Sequence, residues 1–416
     1  MKLKNKSLIL NFSGYTLINL LNSLTPFIIL PILTHNLTKD DIGIIDLFTT
    51  SSIFLAPIIG LCFIQSITKL YFSFEDTSKY LSVLATSILV LGGGSFLISF
   101  LVLYLTNLVD LKADFKLLIL LMFFYVLMNL IIEGFLLLKR NEEDLKRFAF
   151  IRLFKSFFEI LITVTLVYIY SDFRLRIYAM VVASLMTTLI VLYMVYKTPS
   201  IKLEYDKKIV TKIFVYSAPL IFHTFFASIL NYSDRYFINS FLGVSELGQY
   251  SVIYQLCMVM SLMINSFNMA WTPYFMKNMT HNSLKFTLTV NKLFKYYGIF
   301  LLVFAILLYL AIPTIYEFYV GIDYLVDGSV YGALLAAYFF NGLYRFKVSH
   351  LFYREKTISV AKLSMLTAII NLILNYICID AWGILGAAVS TMASYFFLYL
   401  FLEAELFTIK RNERTS

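Results

Sequence analysis

Apolar residues along this chain gather into about a dozen long runs, each closed by a short polar segment. Reading from charge to charge places the runs near 9–34, 42–67, 80–106, 115–138, 149–170, 177–196, 213–240, 248–275, 292–313, 329–351, 358–378 and 383–407. A helix needs roughly 20 apolar residues to cross about 30 Å of hydrocarbon, and these runs have that length. They are too long for barrel strands, and a helix satisfies its own backbone amides in lipid. The pattern predicts an all-α polytopic membrane protein with about 12 transmembrane helices. Composition agrees: 60% of the 416 residues are hydrophobic and 14% are charged, too little polar surface to cover a soluble fold. The start, Met1-Lys2-Leu3-Lys4-Asn5-Lys6, has the charge of a signal peptide. The apolar run behind it is too long and lacks a small-residue cleavage site, so it is expected to stay as the first span behind a cytoplasmic tail.

The formal charge of +9 changes the picture only through its distribution. With both termini inside, roughly 28 of the Lys and Arg fall on the inner side and about 5 outside, which sets orientation and gives no sign of nucleic-acid binding. The segment from Lys139 to Lys155, with Arg140, Lys146, Arg147 and Arg152, reads either as a solvated inner loop or as a contact for anionic headgroups. Cys62, Cys257 and Cys378 have no pairing pattern and read as small hydrophobes, with no metal or redox site implied.

The chain echoes itself at about half its length. Asn36-Leu37-Thr38-Lys39-Asp40-Asp41-Ile42-Gly43 is matched by Phe241-Leu242-Gly243-Val244-Ser245-Glu246-Leu247-Gly248, about 205 residues later. Ser184, Met186, Leu192 and Tyr193 are matched by Ser390, Met392, Leu398 and Tyr399 at nearly the same offset. The expected organisation is an N-terminal six-helix lobe over 1–200, a polar and basic cytoplasmic linker over 201–212, and a C-terminal six-helix lobe with a cytoplasmic tail over 213–416. Six is even, so the halves would form a parallel repeat, with a substrate site between lobes that rock to alternate access.

Polar groups at membrane depth are costly and mark the candidate site. In the fifth span Arg152, Lys155 and Glu159 share one helical face; it reads as a cationic cavity wall, or as Arg152 snorkelling with Lys155 paired to Glu159. The seventh span is the most polar, with Thr224, Ser228, Asn231 and Arg235 on one stripe, Asp234 beside it and His223 near Ser228. Asp234 and Arg235 point about 100° apart as helix neighbours, so each is expected to pair elsewhere. His223 reads as a packing residue or a proton carrier. The fourth span sets Asn129 and Glu133 four apart; the tenth sets Asn341, Arg345 and Ser349 on one face with Lys347 nearby; the eleventh sets Asn371 and Asn375 four apart, the spacing of interhelical glue. Asp46, taken in the first turn of the second span, reads as a helix-start residue. Arg152, Lys155, Arg235, Arg345 and Lys347 are thus candidate cations for an anionic substrate, phosphate above all. Glu133, Glu159 and Asp234 are candidate ion-coupling acids, and His223, Asn231 and Asn341 candidate polar lining.

Pro26, Pro31, Pro57, Pro219 and Pro273 fall inside spans and permit kinks. Gly92-Gly93-Gly94 lies within an apolar run and is no phosphate loop. No HExxH, GxSxG, Walker motif or acidic metal cluster is present, and no cofactor is expected beyond a coupling proton or sodium ion.

Three stretches carry a family resemblance. They are Tyr216-Ser217-Ala218-Pro219-Leu220; Asp234-Arg235-Tyr236-Phe237-Ile238; and Phe241-Leu242-Gly243 with Gly248-Gln249-Tyr250-Ser251. With Pro31-Ile32-Leu33-Thr34 before Gly43, Asn371-Leu372-Ile373-Leu374-Asn375-Tyr376, Gly383-Ile384-Leu385-Gly386-Ala387-Ala388 and Ser390-Thr391, the chain resembles bacterial polysaccharide flippases of the Wzx type over nearly its whole length. The resemblance implies the fold shared with drug and metabolite antiporters and lipid II flippases, two six-helix lobes around a central cavity. It also implies a substrate, an oligosaccharide repeat on undecaprenyl pyrophosphate, moved to the outer leaflet for O-antigen, capsule or exopolysaccharide assembly. Only Asp234 and Arg235 lie in a stretch that matches the family closely enough to carry a role. The first span holds no Arg, unlike that of lipid II flippases.

The leading expectation is therefore a flippase in the bacterial inner membrane, with membrane lipids and the lipid-linked oligosaccharide as partners and a polysaccharide polymerase and chain-length machinery beside it. A cation-coupled drug or metabolite exporter on the same fold is the alternative. A membrane glycosyltransferase or polymerase fits less well, because the longest outer loop, Pro313 to Gly328, is only about 16 residues. Its Glu317, Asp323 and Asp327 read as solvated acids.

Overall fold

A computed structural model describes residues 14–105, 113–197, 202–279 and 284–415. The N-terminal tail, residues 9–13 of the first predicted span and residue 201 of the predicted linker lie outside the described residues. Helices account for nearly all of these residues, and no strand occurs among them. In chain order they are α1 (Gly14–Asn36), α2 (Lys39–Ile59), α3 (Thr77–Phe100, extended to Leu105), α4 (Ala113–Asn141), α5 (Leu145–Tyr170), α6 (Phe173–Tyr196), α7 (Lys207–Phe241), α8 (Val244–Cys257 continued by Val259–Met279), α9 (Leu284–Ile315) and α10 (Gly328–Lys347). The last helical stretch, Thr357–Thr415, is broken at Gly383 into α11 (357–382) and α12 (384–415). Gly383 takes φ 60° and ψ −139°, a backbone that a residue with Cβ adopts only under strain.

Among the described residues, nine helical stretches are long and apolar enough to cross a membrane, the stretch holding α11 and α12 counting as one. The protein is a multi-pass membrane protein, and its surface shows why. Along α9, Ile299, Leu302, Val303, Ile306, Leu307 and Leu310 are all exposed; in water such a stripe would be an aggregation site, in lipid it is solvated.

Aspartates start these helices. Asp76, Asp144, Asp172 and Asp327 each accept a backbone N–H from the first turn of α3, α5, α6 and α10. At α2 a capping box forms between Thr38 and Asp41, whose side chains bond reciprocally at 2.7 to 3.2 Å. That box starts α2 at Lys39, three residues before the predicted start. At its other end α2 stops at Ile59, short of residue 67, because Leu61 and Cys62 turn into the left-handed region.

The chain divides into two compact units. One holds the chain up to Ile32 and Leu47–Phe225; the other holds Leu33–Asp46 and Phe226–Ser416. The core of the first gathers Ile59, Phe63, Ile67, Tyr80, Val83 and Ile213. Residues 202–206 are strapped to α3 in this unit: Lys202 and Glu204 donate backbone N–H to Ser82 and Thr86, and Lys79 meets Asp206 at 2.7 Å. The Lys79 ammonium and the amides of Ile209 and Lys208 hold the Asp206 carboxyl below the usual carboxylate range.

In the second unit the starts of α2 and α8 touch through their glycines. A Cβ on Gly43 would sit 2.1 Å from the Val244 carbonyl oxygen, and one on Gly248 would sit 1.9 Å from that of Lys39. The contact is reciprocal, as in an isologous pairing. Asn371 and Asn375 of α11, Ser233 of α7 and Ser394 of α12 join in a buried network of hydrogen bonds at 3.0 to 3.1 Å, the glue that the spacing predicted.

Candidate functional site

In the first unit the polar residues form a ladder between α4, α5 and α6. Arg152 pairs with Glu133, and Lys155 donates to the Asn129 amide oxygen with its ammonium 5.6 Å from the Tyr125 ring. Further along α5, Arg176 of α6 reaches Glu159 and the Thr163 hydroxyl, each at 2.9 Å. Asn22 of α1 accepts the Ser156 hydroxyl at 2.7 Å. The face predicted at Arg152, Lys155 and Glu159 is thus an interhelical one. The pairing of Lys155 with Glu159 does not occur: antiparallel α4 and α5 put Asn129 opposite Lys155, and Glu159 goes to Arg176.

In the second unit the polar residues tie one knot. Arg235 lies between two carboxylates, with Nη1 2.9 Å from Asp234 Oδ1 and Nε 3.1 Å from Asp46 Oδ2. The contact with Asp46 is ionic, without the alignment of a hydrogen bond. Asp234 Oδ1 also accepts the backbone N–H of Arg235 at 3.0 Å, and its Oδ2 accepts the Tyr250 hydroxyl at 2.6 Å. The guanidinium lies 4.2 Å from the centre of the Tyr254 ring and 5.0 Å from that of Tyr232. Its Nη1 donates to the Asn231 carbonyl, whose side-chain oxygen accepts from Tyr395 at 2.6 Å. Arg235 and Asp234 are each only 3% exposed.

Two sequence readings are corrected here. Asp234 and Arg235 are each other's partners after all, because the long guanidinium arm folds back along α7 to the neighbouring carboxylate. Asp46 is no helix-start residue. The capping box places it eighth in α2, about 10 Å along the axis, where it meets Arg235.

Elsewhere in the second unit Lys347 pairs with Glu403 of α12 and lies 4.3 Å from the Phe294 ring centre. Arg345 is exposed and donates to the Asn265 side-chain oxygen at 2.6 Å. Asn341 is buried in α10, whereas His223, in the first unit, is exposed.

Most candidate charges are therefore matched. Arg152, Lys347 and Arg235 have carboxylates, and Glu133, Glu159 and Asp234 have cations. Among the described residues, Lys155 and Arg345 alone of the five candidate cations have neutral partners in place of a carboxylate. Sequence reasoning missed Arg176 and Asp46, both placed at span edges. In each case the helix begins earlier than hydropathy suggests, and the signal was the cap upstream: Asp172 before Arg176, and Thr38 with Asp41 before Asp46.

The fold is that of known transporters. Across 94% of this chain and 96% of the other it is similar, at 13% identity and a TM-score of 0.73, to a multidrug resistance MATE family transporter of the MOP superfamily in an inward-facing conformation. It is also similar to the lipid II flippase MurJ in an inward closed conformation, at 16% identity and a TM-score of 0.67, over 99% of this chain and 88% of that one. No curated protein matches the chain by sequence. Residues 8–279 match the family model described as polysaccharide biosynthesis protein, and with that match over most of the length the chain belongs to the polysaccharide biosynthesis protein family.

Proposed function

We propose that the protein is a flippase that carries oligosaccharide repeat units on a polyprenyl pyrophosphate from the cytoplasmic to the outer leaflet, for assembly of O-antigen, capsule or exopolysaccharide. The observation that carries this reading is the pair of unmatched cations, Lys155 and Arg345, in a chain of the polysaccharide biosynthesis family. An ammonium or guanidinium held by a neutral amide oxygen keeps its full charge for a ligand, and diphosphate is the ligand such groups hold best. Arg152 and Lys347, each closed by a glutamate, act beside them as structural pairs that hold α4 to α5 and α10 to α12. On this reading the prenyl tail stays in lipid, both termini are cytoplasmic in the inner membrane, and the protein performs transport without covalent chemistry. Transport proceeds by alternating access with ion coupling, and the product passes to a polymerase and its chain-length machinery.

Deleting the gene in its host and assaying lipid-linked repeat units with sidedness resolved tests the proposal. Loss of surface polymer with repeat units held on the cytoplasmic face supports it; normal polymer, with redundant flippases excluded, overturns it. A second reading, a cation-coupled exporter of drugs or metabolites, is favoured by the likeness to the MATE family transporter. It predicts a resistance change on deletion and an unchanged surface polymer.

A further inference from the structure

The ion pairs within the helices do not all balance. Arg152 with Glu133, Arg176 with Glu159 and Lys347 with Glu403 are one cation to one carboxylate, whereas Arg235 faces both Asp234 and Asp46. With both acids ionised the knot carries one net negative charge among packed helices, which burial disfavours. A buried site of that kind is relieved by taking up a proton.

The two carboxylates are not equivalent. Asp234 receives three aligned donors, namely the Arg235 backbone N–H, Arg235 Nη1 and the Tyr250 hydroxyl, at 2.6 to 3.0 Å. A proton there would weaken all three, because each is strengthened by the charge of the ionised carboxylate. Asp46 Oδ2 meets Arg235 Nε at 3.1 Å without the alignment of a hydrogen bond. Ser251 of α8 stands beside it, but the serine hydroxyl is given to the Leu247 carbonyl at 2.8 Å. The remaining titratable group near Asp46 within its unit is Tyr232 of α7, whose ring centre lies 5.0 Å from the guanidinium. The Asp46 side chain is 21% exposed against 4% for Asp234, so a proton reaches it more easily.

We propose that Asp46 is a proton-binding site, and that proton uptake there releases α2 from Arg235 while the Arg235–Asp234–Tyr250 set stays charge-balanced. Asp46 lies three residues beyond Gly43, whose backbone rests on the Val244 carbonyl. The proton thus acts one helical turn from the place where the starts of α2 and α8 touch. This deepens the transport reading above and rests on it for its consequence, since it names the group that couples proton movement to a helix contact.

Infrared spectroscopy on the full-length protein in lipid vesicles, titrated over pH, reads the site without substrate. The spectrum of the wild type minus that of Asp46→Asn should contain one protonated-carboxyl band that titrates as a single group. Asp46→Glu should keep that band and shift its frequency, and Asp234→Glu should leave the frequency unchanged. Absence of a titrating band from the difference spectrum overturns the proposal, as does a frequency that follows Asp234→Glu. A response of the carboxylate bands to sodium in place of pH also overturns it. Should Asp46→Asn or Asp234→Glu not fold, Asp46→Glu alone decides by shift or no shift. A normal surface polymer in the deletion strain would sink the flippase reading and leave this spectrum as it is.

Discussion

The ladder of the first unit and the knot of the second use the same side chains toward opposite ends. In the ladder each charge has its own partner on a neighbouring helix, and the pairs are partly open: Arg152 is 21% and Glu133 40% exposed. One rung, Lys155 on Asn129, is left with its charge unspent. In the knot one guanidinium serves two carboxylates and two aromatic rings; Arg235 and Asp234 are almost wholly enclosed, and only Asp46 is partly open. A spread arrangement of one-to-one pairs balances its charge locally. A buried and unmatched one is fragile, and it is sensitive to any small cation that restores balance.

The largest expected effect breaks the knot. Arg235→Leu leaves two buried carboxylates without a cation and should cost about 3–5 kcal/mol, read as loss of folded protein by size-exclusion and thermal unfolding. Adding Asp46→Asn and Asp234→Asn to it should recover most of the stability; no recovery would mean that the arginine acts through packing. The next effect breaks the glycine seam beside the knot. Gly248→Ala drives a methyl group against the Lys39 carbonyl and should cost about 1–3 kcal/mol in thermal unfolding, while alanine at Gly93, which has open space, should change little.

The ladder sharpens the comparison through function. Exchanging Arg152 and Glu133, as the double variant Arg152→Glu with Glu133→Arg, should keep polymer export near normal because the pair is structural. Lys155→Ala should lower export about tenfold to a hundredfold at unchanged protein level, the worth of a charge-assisted hydrogen bond to phosphate. Equal losses from both changes would erase the distinction between matched and unmatched cations. The smallest effect belongs to the strap on α3. Asp206→Asn removes an exposed ion pair and should leave the melting temperature unchanged. Because the folded Asp206 carboxyl lies below its usual range, any contribution it makes is present above the ordinary carboxylate pKa and lost as pH falls through its own.

Most of the fold was legible. Bilayer-length apolar runs force helices, because lipid offers the backbone no other partner, and each predicted run has its helix. Edges were less legible, since hydropathy sees where side chains become polar whereas a helix starts where its first amides find a cap. Three residues of error at α2 turned Asp46 from a central group into a trivial one. For the polar stripes, spacing identified the faces and Asn371 and Asn375 behaved as spacing suggests. Partner choice was not legible: Lys155 to Asn129, Glu159 to Arg176 and Arg235 to two acids all depend on side chains far away in sequence.

What the sequence determined by itself is the solvent, the helices and which residues are too polar to face lipid, because these follow from composition and period along one chain. Which charges are spent on one another and which keep neutral partners was decided only by the tertiary structure. Coulomb attraction falls off with distance and rises with burial, and neither quantity exists until the helices have packed.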